Sequence, residues 1–220
     1  MLKRYGLLAL VLIGAVACSN CAPMRYDTQV YRIAVECIGG GTVGGTSAAV
    51  SPRHLITAKH VAAACEQAGL TTWKITAKDR DGKEYEVVVD KHAKSGADVT
   101  RLVIVGVEEP FVPSRWRETA YVAVEDYVCA IGLDNNDWGL AKECGYVSVV
   151  NYYYRDTTYI KVTAHFVPGF SGGSVWDENG WSIGVISRGS WDSGSPWFSL
   201  VVPVSEFRDL LVVEFSPDMG

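Results

Sequence analysis

The sequence predicts an all-β protein of two packed six-stranded antiparallel β-barrels with a short C-terminal helix. Valine and glycine are abundant, with 30 and 22 residues in a chain of 220, and β-branched valine favours half-buried strands. After residue 30, short apolar runs alternate with turn residues, which is the pattern of strands joined by tight connections. A stretch at 111–120, which contains Pro113 and charged residues and follows Pro110, separates these runs into two sets and is expected to link the barrels.

Composition excludes two broad classes of protein. Apolar residues make up 48% of the chain and charged residues 20%, which argues against intrinsic disorder. The 20 basic and 25 acidic residues give a net charge of −5. Because binding to phosphates needs a basic surface, nucleic acid is not expected as a partner.

The first 17 residues are predicted to be a signal peptide. Lys3 and Arg4 precede 11 apolar residues at positions 7–17. A helix needs about 20 apolar residues to cross a bilayer, so this stretch is typical of an export signal and not of a membrane span.

Cys18 follows Ala15 and Ala17 at the position where a bacterial lipobox carries its acylated cysteine. We therefore expect Cys18 to carry a lipid and residues 18–30 to form a tether, so that only the lipid anchor holds the protein at the membrane of the cell envelope. The same alanines also fit ordinary signal cleavage, which would release a soluble secreted or periplasmic protein. The sequence leaves both outcomes open.

Residues 31–110 are predicted to form the first barrel. Its expected strands are residues 31–37, 46–50, 55–58, 73–77, 85–89 and 99–105. Turn residues at 51–53 and the Asp81-Gly82 pair indicate hairpins, whereas the glycines at 39–41 and 44–45 are expected to interrupt the first strands. An alanine-rich segment at 60–67 predicts a short helix.

Residues 121–203 are predicted to form the second barrel. Its expected strands are residues 121–133, 145–151, 158–166, 173–176, 181–187 and 198–202. A helix is expected over residues 204–214, because Phe207, Leu210 and Leu211 share one helical face.

Ser171 is the candidate nucleophile. Glycines at 169, 172 and 173 surround it, and such a turn can expose the hydroxyl while backbone N–H groups point at a developing oxyanion. The segment also fits the nucleophile elbow of α/β-hydrolases, which needs a helix directly after the serine and a later histidine. Residues 174–180 instead predict a strand and a turn, and all four histidines precede Ser171. The elbow interpretation therefore fails.

A serine hydroxyl needs a base, and a carboxylate must orient that base. His60 follows an apolar strand at the start of the short helix, a rim position from which a side chain can face a cleft. Asp98 stands at the start of the strand 99–105, where a lone acid is poorly placed unless it is paired. Taken singly, each residue also fits a purely structural role.

Read together, these residues resemble the trypsin-like (chymotrypsin-fold) serine peptidases. The local sequences Thr-Ala-Lys-His60, Asp98-Val-Thr-Arg-Leu and Gly-Phe-Ser171-Gly-Gly occur in that family's order. Residues 187–189 resemble the family's segment that pairs with the substrate backbone. Further short matches resemble the protease domain of the bacterial HtrA/Deg branch; they lie at residues 130–132, 145–148 and 202–205. The resemblance runs from about residue 31 to residue 211.

The resemblance implies a role for each matching residue. His60 would be the general base, Asp98 would orient it and Ser171 would attack the scissile carbonyl. The N–H groups of Gly169 and Ser171 would form the oxyanion hole. Phe170 departs from the family, which usually has Asp or Asn there, so activation through pairing with a new amino terminus is not expected.

The resemblance also implies where substrate binds. Ser187, Arg188 and Gly189 would pair with the backbone of a polypeptide substrate, and Arg188 would favour acidic substrates. His165 would lie at the floor of the primary specificity pocket, where it could favour an acidic side chain or cap a pocket for small or apolar ones.

An exported protein can keep disulfides, and two are expected, Cys37–Cys65 and Cys129–Cys144. Cys37 ends the strand before the hairpin of His60 and Cys65 lies one turn beyond that histidine, whereas Cys129 and Cys144 lie on strands that flank a turn at 134–139. The family has a bridge comparable to the first. Cys18 and Cys21 have the spacing of half a zinc site, but no second pair completes it. Neither a metal nor a cofactor is expected.

The leading functional hypothesis is an exported serine endopeptidase that acts as a monomer. A catalytically inactive binding module on the same fold is the alternative, and Phe170 is the feature that favours it. An esterase with the same residues is a third hypothesis, which the expected peptide-binding segment 187–189 disfavours.

Overall fold

The computed structural model describes residues 29–134, 139–189 and 198–211. Within them the chain forms two closed barrels of six antiparallel strands and a few short helices, which confirms the predicted fold class. The signal peptide, Cys18, nearly all of the tether and residues 212–214 lie outside the described residues.

The first barrel surrounds one of three apolar cores. Its strands are β1 (Val30–Cys37), β2 (Thr42–Ser51), β3 (His54–Ala58), β4 (Trp73–Lys78), β5 (Glu84–Val89) and β6 (Val99–Ile104). They close in the order β1-β2-β3-β6-β5-β4. In β5, Tyr85 and Val87 are buried while the glutamates beside them are exposed, because successive side chains of a strand point to opposite faces.

The second barrel repeats the same topology. Its strands are β7 (Tyr127–Asp134), β8 (Gly139–Tyr154), β9 (Thr157–Val162), β10 (Ser174–Asp177), β11 (Ser182–Gly189) and β12 (Ser199–Pro203). They close in the order β7-β8-β9-β12-β11-β10. Strand β7 therefore has the place that β1 has in the first barrel, and the other five strands correspond in the same way.

A third apolar core lies between the barrels and positions the site. Ala97 and Val99, on either side of Asp98, pack in it with Val185 and Leu200 of the second barrel. Phe207 joins the same core from the C-terminal segment. Burial of these side chains stabilises the contact between barrels, and Asp98 is thereby held at the junction.

The helices are shorter than the sequence predicts. They are α1 (Lys59–Ala62), α2 (Ala64–Gln67) and α3 (Arg208–Leu211), with 3-10 turns at Thr119–Tyr121 and Val204–Glu206. The expected helix over 60–67 breaks at Ala63, whose ψ of 12° is not helical. Phe207, with φ of −139°, separates the final 3-10 turn from α3.

Strand β2 starts earlier than expected and contains Gly44 and Gly45, which the sequence predicted to interrupt it. A Cβ atom at Gly45 would lie 2.6 Å from Val61 Cγ1 and 3.1 Å from the carbonyl oxygen of Ser171. The glycine therefore lets β2 approach both α1 and the loop that carries Ser171, and its presence reflects close packing and not a turn.

Both expected disulfides are present. Cys37, at the end of β1, is bonded to Cys65 in α2, and Cys129 and Cys144 are cross-strand partners on β7 and β8. The first bridge ties the segment that follows His60 to the first barrel.

Removing either bridge should lower the free energy of unfolding. The bridges close loops with sequence separations of 28 and 15 residues, so replacing both cysteines of either pair with alanine should cost about 3 kcal/mol through the larger entropy of the unfolded chain. Urea denaturation of each double variant beside the wild type measures this. Four free thiols in non-reducing peptide mapping of the wild type would contradict the pairing.

Candidate active site

His60, Ser171 and residues 187–189 line a single cleft of about 650 Å³. The cleft wall is otherwise apolar; it is formed by Tyr152, Tyr154, Phe166, Val167, Pro168, Ile186, Phe198 and Leu200. A separate hollow of about 590 Å³ on the second barrel contains Arg117 and Asp177 and none of the predicted site residues.

Asp98 holds His60 by two hydrogen bonds. The backbone N–H of His60 donates to Oδ1 of Asp98 over 3.0 Å, and Nδ1 of His60 lies 2.7 Å from Oδ2. Helix α1 begins directly after β3 and places His60 at this distance from the start of β6. With its proton on Nδ1, the ring presents Nε2 as an acceptor, which is the tautomer that a general base needs.

Ser187 contributes a third hydrogen bond to the same carboxylate. Its Oγ donates to Oδ2 of Asp98 over 2.6 Å. Burial by itself raises the pKa of Asp98, but the hydrogen bonds from His60 and Ser187 and the charge of His60 outweigh it and hold the pKa below the ordinary value. Asp98 therefore stays ionised at neutral pH. Sequence reasoning gave Ser187 only a role with substrate and missed this contact, for which the sequence holds no local signal.

The lowered pKa of Asp98 makes folding dependent on pH. An acid with a depressed pKa in the folded state contributes stability above its unfolded value, here 3.8, and this contribution is lost as the pH falls through the folded pKa. Asp98→Asn should therefore lose less free energy of unfolding than the wild type on acidification below about pH 4. Urea denaturation at a series of pH values tests this, and parallel curves for the two proteins would contradict it.

The loop that carries Ser171 is fastened to the first barrel by Thr46. The N–H of Thr46 donates to the carbonyl of Ser171 over 2.9 Å, and its hydroxyl donates to the carbonyl of Gly169 over 2.7 Å. The same hydroxyl accepts a bond of 2.9 Å from the N–H of Leu133. Thr46 is fully buried. Sequence reasoning missed it, because an ordinary strand threonine has no distinguishing signal.

In the described part of the chain, two N–H groups of residues 169–173 donate to no backbone acceptor. The N–H groups of Phe170, Gly172 and Gly173 donate to the carbonyls of Val167, Ile186 and Phe170 respectively. Among the residues that the structure describes, the N–H groups of Gly169 and Ser171 have no such partner. Gly169 has a φ of +104°, a conformation suited to glycine. These two donors can bind an oxyanion.

Phe170 points away from the cleft. Its side chain is fully buried and stacks on Phe166 with ring centroids 5.7 Å apart. Gly132 makes room for the ring, since a Cβ atom there would lie 2.4 Å from it. Phe170 therefore anchors the loop in the core of the second barrel by apolar packing.

The substrate-binding residues expected from the resemblance separate into two groups. Ser187, Arg188 and Gly189 line the cleft. His165 is exposed and is not among the lining residues, whereas its neighbour Phe166 is. The structure thus does not bring His165 to the cleft wall, and its role as a pocket floor stays a prediction.

Strand β11 has an open edge beside Ser171. Strand β10 pairs with β11 from Ser182 to Val185. At Ile186, the carbonyl accepts a hydrogen bond from the N–H of Gly172, and the N–H donates to the carbonyl of Gly173. Beyond Ile186, β12 covers one edge of residues 188–189, and no described strand covers the other. An unpaired strand edge is suited to binding an extended peptide.

Within the described ranges, no helix is both long and apolar enough to cross a membrane. The same residues contain no cluster of three or more histidine, cysteine or carboxylate side chains that could hold a metal ion.

Comparisons with known proteins agree with this geometry. The sequence model of the trypsin-like peptidase domain matches residues 45–185. An HtrA-type protease, AlgW with tripeptide, is similar in structure with a TM-score of 0.66 and 20% identity, over 83% of this chain and 58% of that one. A variant of AlgW with tripeptide gives a TM-score of 0.67 and 19% identity, over 81% and 57%.

At this identity the structural likeness concerns the fold, and the chain spans less than two thirds of the length of both AlgW structures. No curated protein matches the sequence. The peptidase domain, in contrast, matches more than half of the 220 residues. On that basis, and with a cleft that contains His60 and Ser171 between two six-stranded barrels, the chain belongs to the family of trypsin-like peptidases.

Proposed function

We propose that the protein is an exported serine endopeptidase that uses His60, Asp98 and Ser171. The observation that carries this proposal is the meeting of three features in one cleft: an imidazole held by a carboxylate, a serine on a glycine-rich loop, and an open strand edge. Each feature suits one requirement of peptide hydrolysis, which needs a base, a nucleophile and a surface that binds an extended backbone.

In the proposed first step, a peptide lies along residues 187–189 with its scissile carbonyl at Ser171. Nε2 of His60 takes the proton of the serine hydroxyl while Oγ attacks the carbonyl carbon. Asp98 stabilises the imidazolium that forms. The oxyanion receives hydrogen bonds from the N–H groups of Gly169 and Ser171.

His60 then gives its proton to the leaving amine, which breaks the peptide bond and leaves an acyl group on Ser171. In the second step a water molecule enters, His60 takes its proton, and the resulting hydroxide attacks the ester. The acid product leaves, and the proton returns to Ser171.

Reaction with a fluorophosphonate probe tests the proposal. The probe should modify Ser171 alone, and peptide mapping by mass spectrometry locates the adduct. Absence of any adduct in a folded sample would favour the inactive binding module instead. Hydrolysis of a peptide library distinguishes an endopeptidase from an esterase.

We propose further that the protease is anchored at the bacterial cell envelope through a lipid on Cys18, which lies outside the described residues. The two disulfides support an oxidising compartment. Intact-mass analysis of the membrane fraction should find a chain that begins at Cys18 and carries diacylglycerol. A soluble species with an unmodified Cys18 would contradict the anchor and leave the peptidase proposal unaffected.

A further inference from the structure

We propose that the cleft selects peptides with an acidic side chain at the second residue on the N-terminal side of the scissile bond, and that Arg188 is the residue that selects it. This inference rests on the proposed peptidase function, because it concerns the substrate of the same cleft. It states that Arg188 contacts the side chain at one position of the peptide and favours a negative charge there.

Arg188 is an exposed cation without a partner on the cleft wall. It forms no ion pair with any residue that the structure describes, although arginine elsewhere in the molecule does so, as Arg101 does with Asp90 at 2.7 Å. No carboxylate is among the described residues that line the cleft. The ionised carboxylate of Asp98 lies behind His60 and Ser187 and is already bonded to both, so Arg188 is left to attract an anionic group of the substrate.

A second cation lies behind the aromatic part of the same wall. Nζ of Lys161 is 3.9 Å from the centroid of the Phe198 ring and 5.5 Å from that of Tyr152. Both rings line the cleft. The ammonium group therefore adds a positive charge close to the cleft, although Lys161 is not among the described lining residues.

The open edge of β11 determines which peptide residue meets Arg188. The N–H of Gly172 bonds to Ile186, so Ser171 lies beside the start of the open segment and Gly189 lies farther away. Strand β11 is antiparallel to both of its neighbours, and a peptide added in the same sense runs from Gly189 towards Ser187. The residue whose carbonyl is attacked then lies opposite Ser187, and the residue before it lies opposite Arg188.

Side chains that are directly opposite across an antiparallel pair lie on the same face. The second peptide residue therefore places its side chain beside Arg188. The fourth residue points to the same face and is a diagonal neighbour, still within reach of a long arginine side chain. The first and third residues point to the other face.

The expected size of the preference follows from the solvent exposure of the ion pair between Arg188 and the acidic side chain of the peptide. An ion pair at a partly exposed site contributes modestly, so we expect kcat/KM to be about fivefold higher for glutamate than for glutamine at the second position. Lysine there should be worse than glutamine. Added salt should reduce the difference, because it screens exposed charges.

The test is a set of peptides that differ only in glutamate, glutamine or lysine at each of the four positions before the scissile bond. Arg188→Gln should remove the preference for glutamate at the second position, and Arg188→Glu should reverse it in favour of lysine. Arg80→Gln is the matched control: it removes the same charge from an exposed residue that does not line the cleft, and should retain the wild-type preference. Thermal melting verifies that each variant is folded.

The inference is overturned if the wild type shows no charge preference at the second position, or if the preference there persists in Arg188→Gln. Preference confined to the first or third position also overturns it. If the wild type neither reacts with the fluorophosphonate nor cleaves any peptide, the peptidase proposal itself fails and this inference fails with it.

Discussion

Ser171→Ala is expected to abolish peptide hydrolysis and labelling by a fluorophosphonate while the protein stays folded. The variant removes the proposed nucleophile, and loss of such a group lowers kcat by a factor of about 10⁴ to 10⁶. His60→Ala should cause a loss of similar size, because the described residues that line the cleft include no other histidine and no carboxylate that could take the proton of Ser171. The measurement is kcat on one peptide for the wild type and both variants.

His92→Ala provides the matched histidine control. His92 is exposed and does not line the cleft, so its replacement should leave kcat close to the wild-type value. Equal melting temperatures would show that the losses in the other two variants are chemical and do not come from unfolding. Turnover at the wild-type rate by Ser171→Ala would refute the assignment of the nucleophile.

Gly172→Ala is expected to have the largest effect on stability. Gly172 has a φ of +90°, and a Cβ atom there would lie 2.2 Å from both the carbonyl oxygen of Thr46 and Oγ1 of Thr57. The substitution thus adds a strained backbone conformation to a clash with buried atoms of the first barrel. We expect the free energy of unfolding to fall by about 3 kcal/mol or more, with loss of hydrolysis because the Ser171 loop is displaced.

Gly41→Ala is the control for this substitution. Gly41 is exposed, and a Cβ atom there would meet nothing within 4 Å, so the stability of the variant should match the wild type. Urea denaturation of both variants measures the difference. If Gly172→Ala unfolds at the same urea concentration as the wild type, the described packing of the loop against Thr46 and Thr57 is incorrect.

Local patterns in the sequence predicted a large part of this molecule. Short apolar runs beside turn residues, such as residues 85–89 after Asp81-Gly82, predicted strands, because a tight turn between two such runs is typical of a hairpin. The prediction for β2 was wrong at its start: Gly44 and Gly45 were expected to interrupt the strand, but they are part of it. A glycine required by close packing has the same letter as a glycine in a turn, and only the neighbours of the folded strand distinguish them.

The sequence predicted the three candidate catalytic residues, but it did not predict the residues that hold them in place. His60, Asp98 and Ser171 were found from their residue types, order and resemblance, and the structure brings His60 to Asp98 and places His60 and Ser171 on one cleft. The direction in which Phe170 points was not predictable, since a loop residue can turn either to the cleft or to the core. Its burial against Gly132 depends on a strand far from it in sequence.

By itself, the sequence determined the fold class, the family resemblance and the candidate catalytic residues, because each leaves a strand pattern or a motif in the chain. The two disulfides were predicted from the positions of the cysteines between the expected elements. Only the tertiary structure decided what holds these residues in place. The hydroxyl of Thr46 reaches Gly169 across 123 positions of sequence, and that of Ser187 reaches Asp98 across 89. Such contacts form only when the two barrels pack, and a single polar side chain that meets a distant partner imposes no pattern on the residues around it.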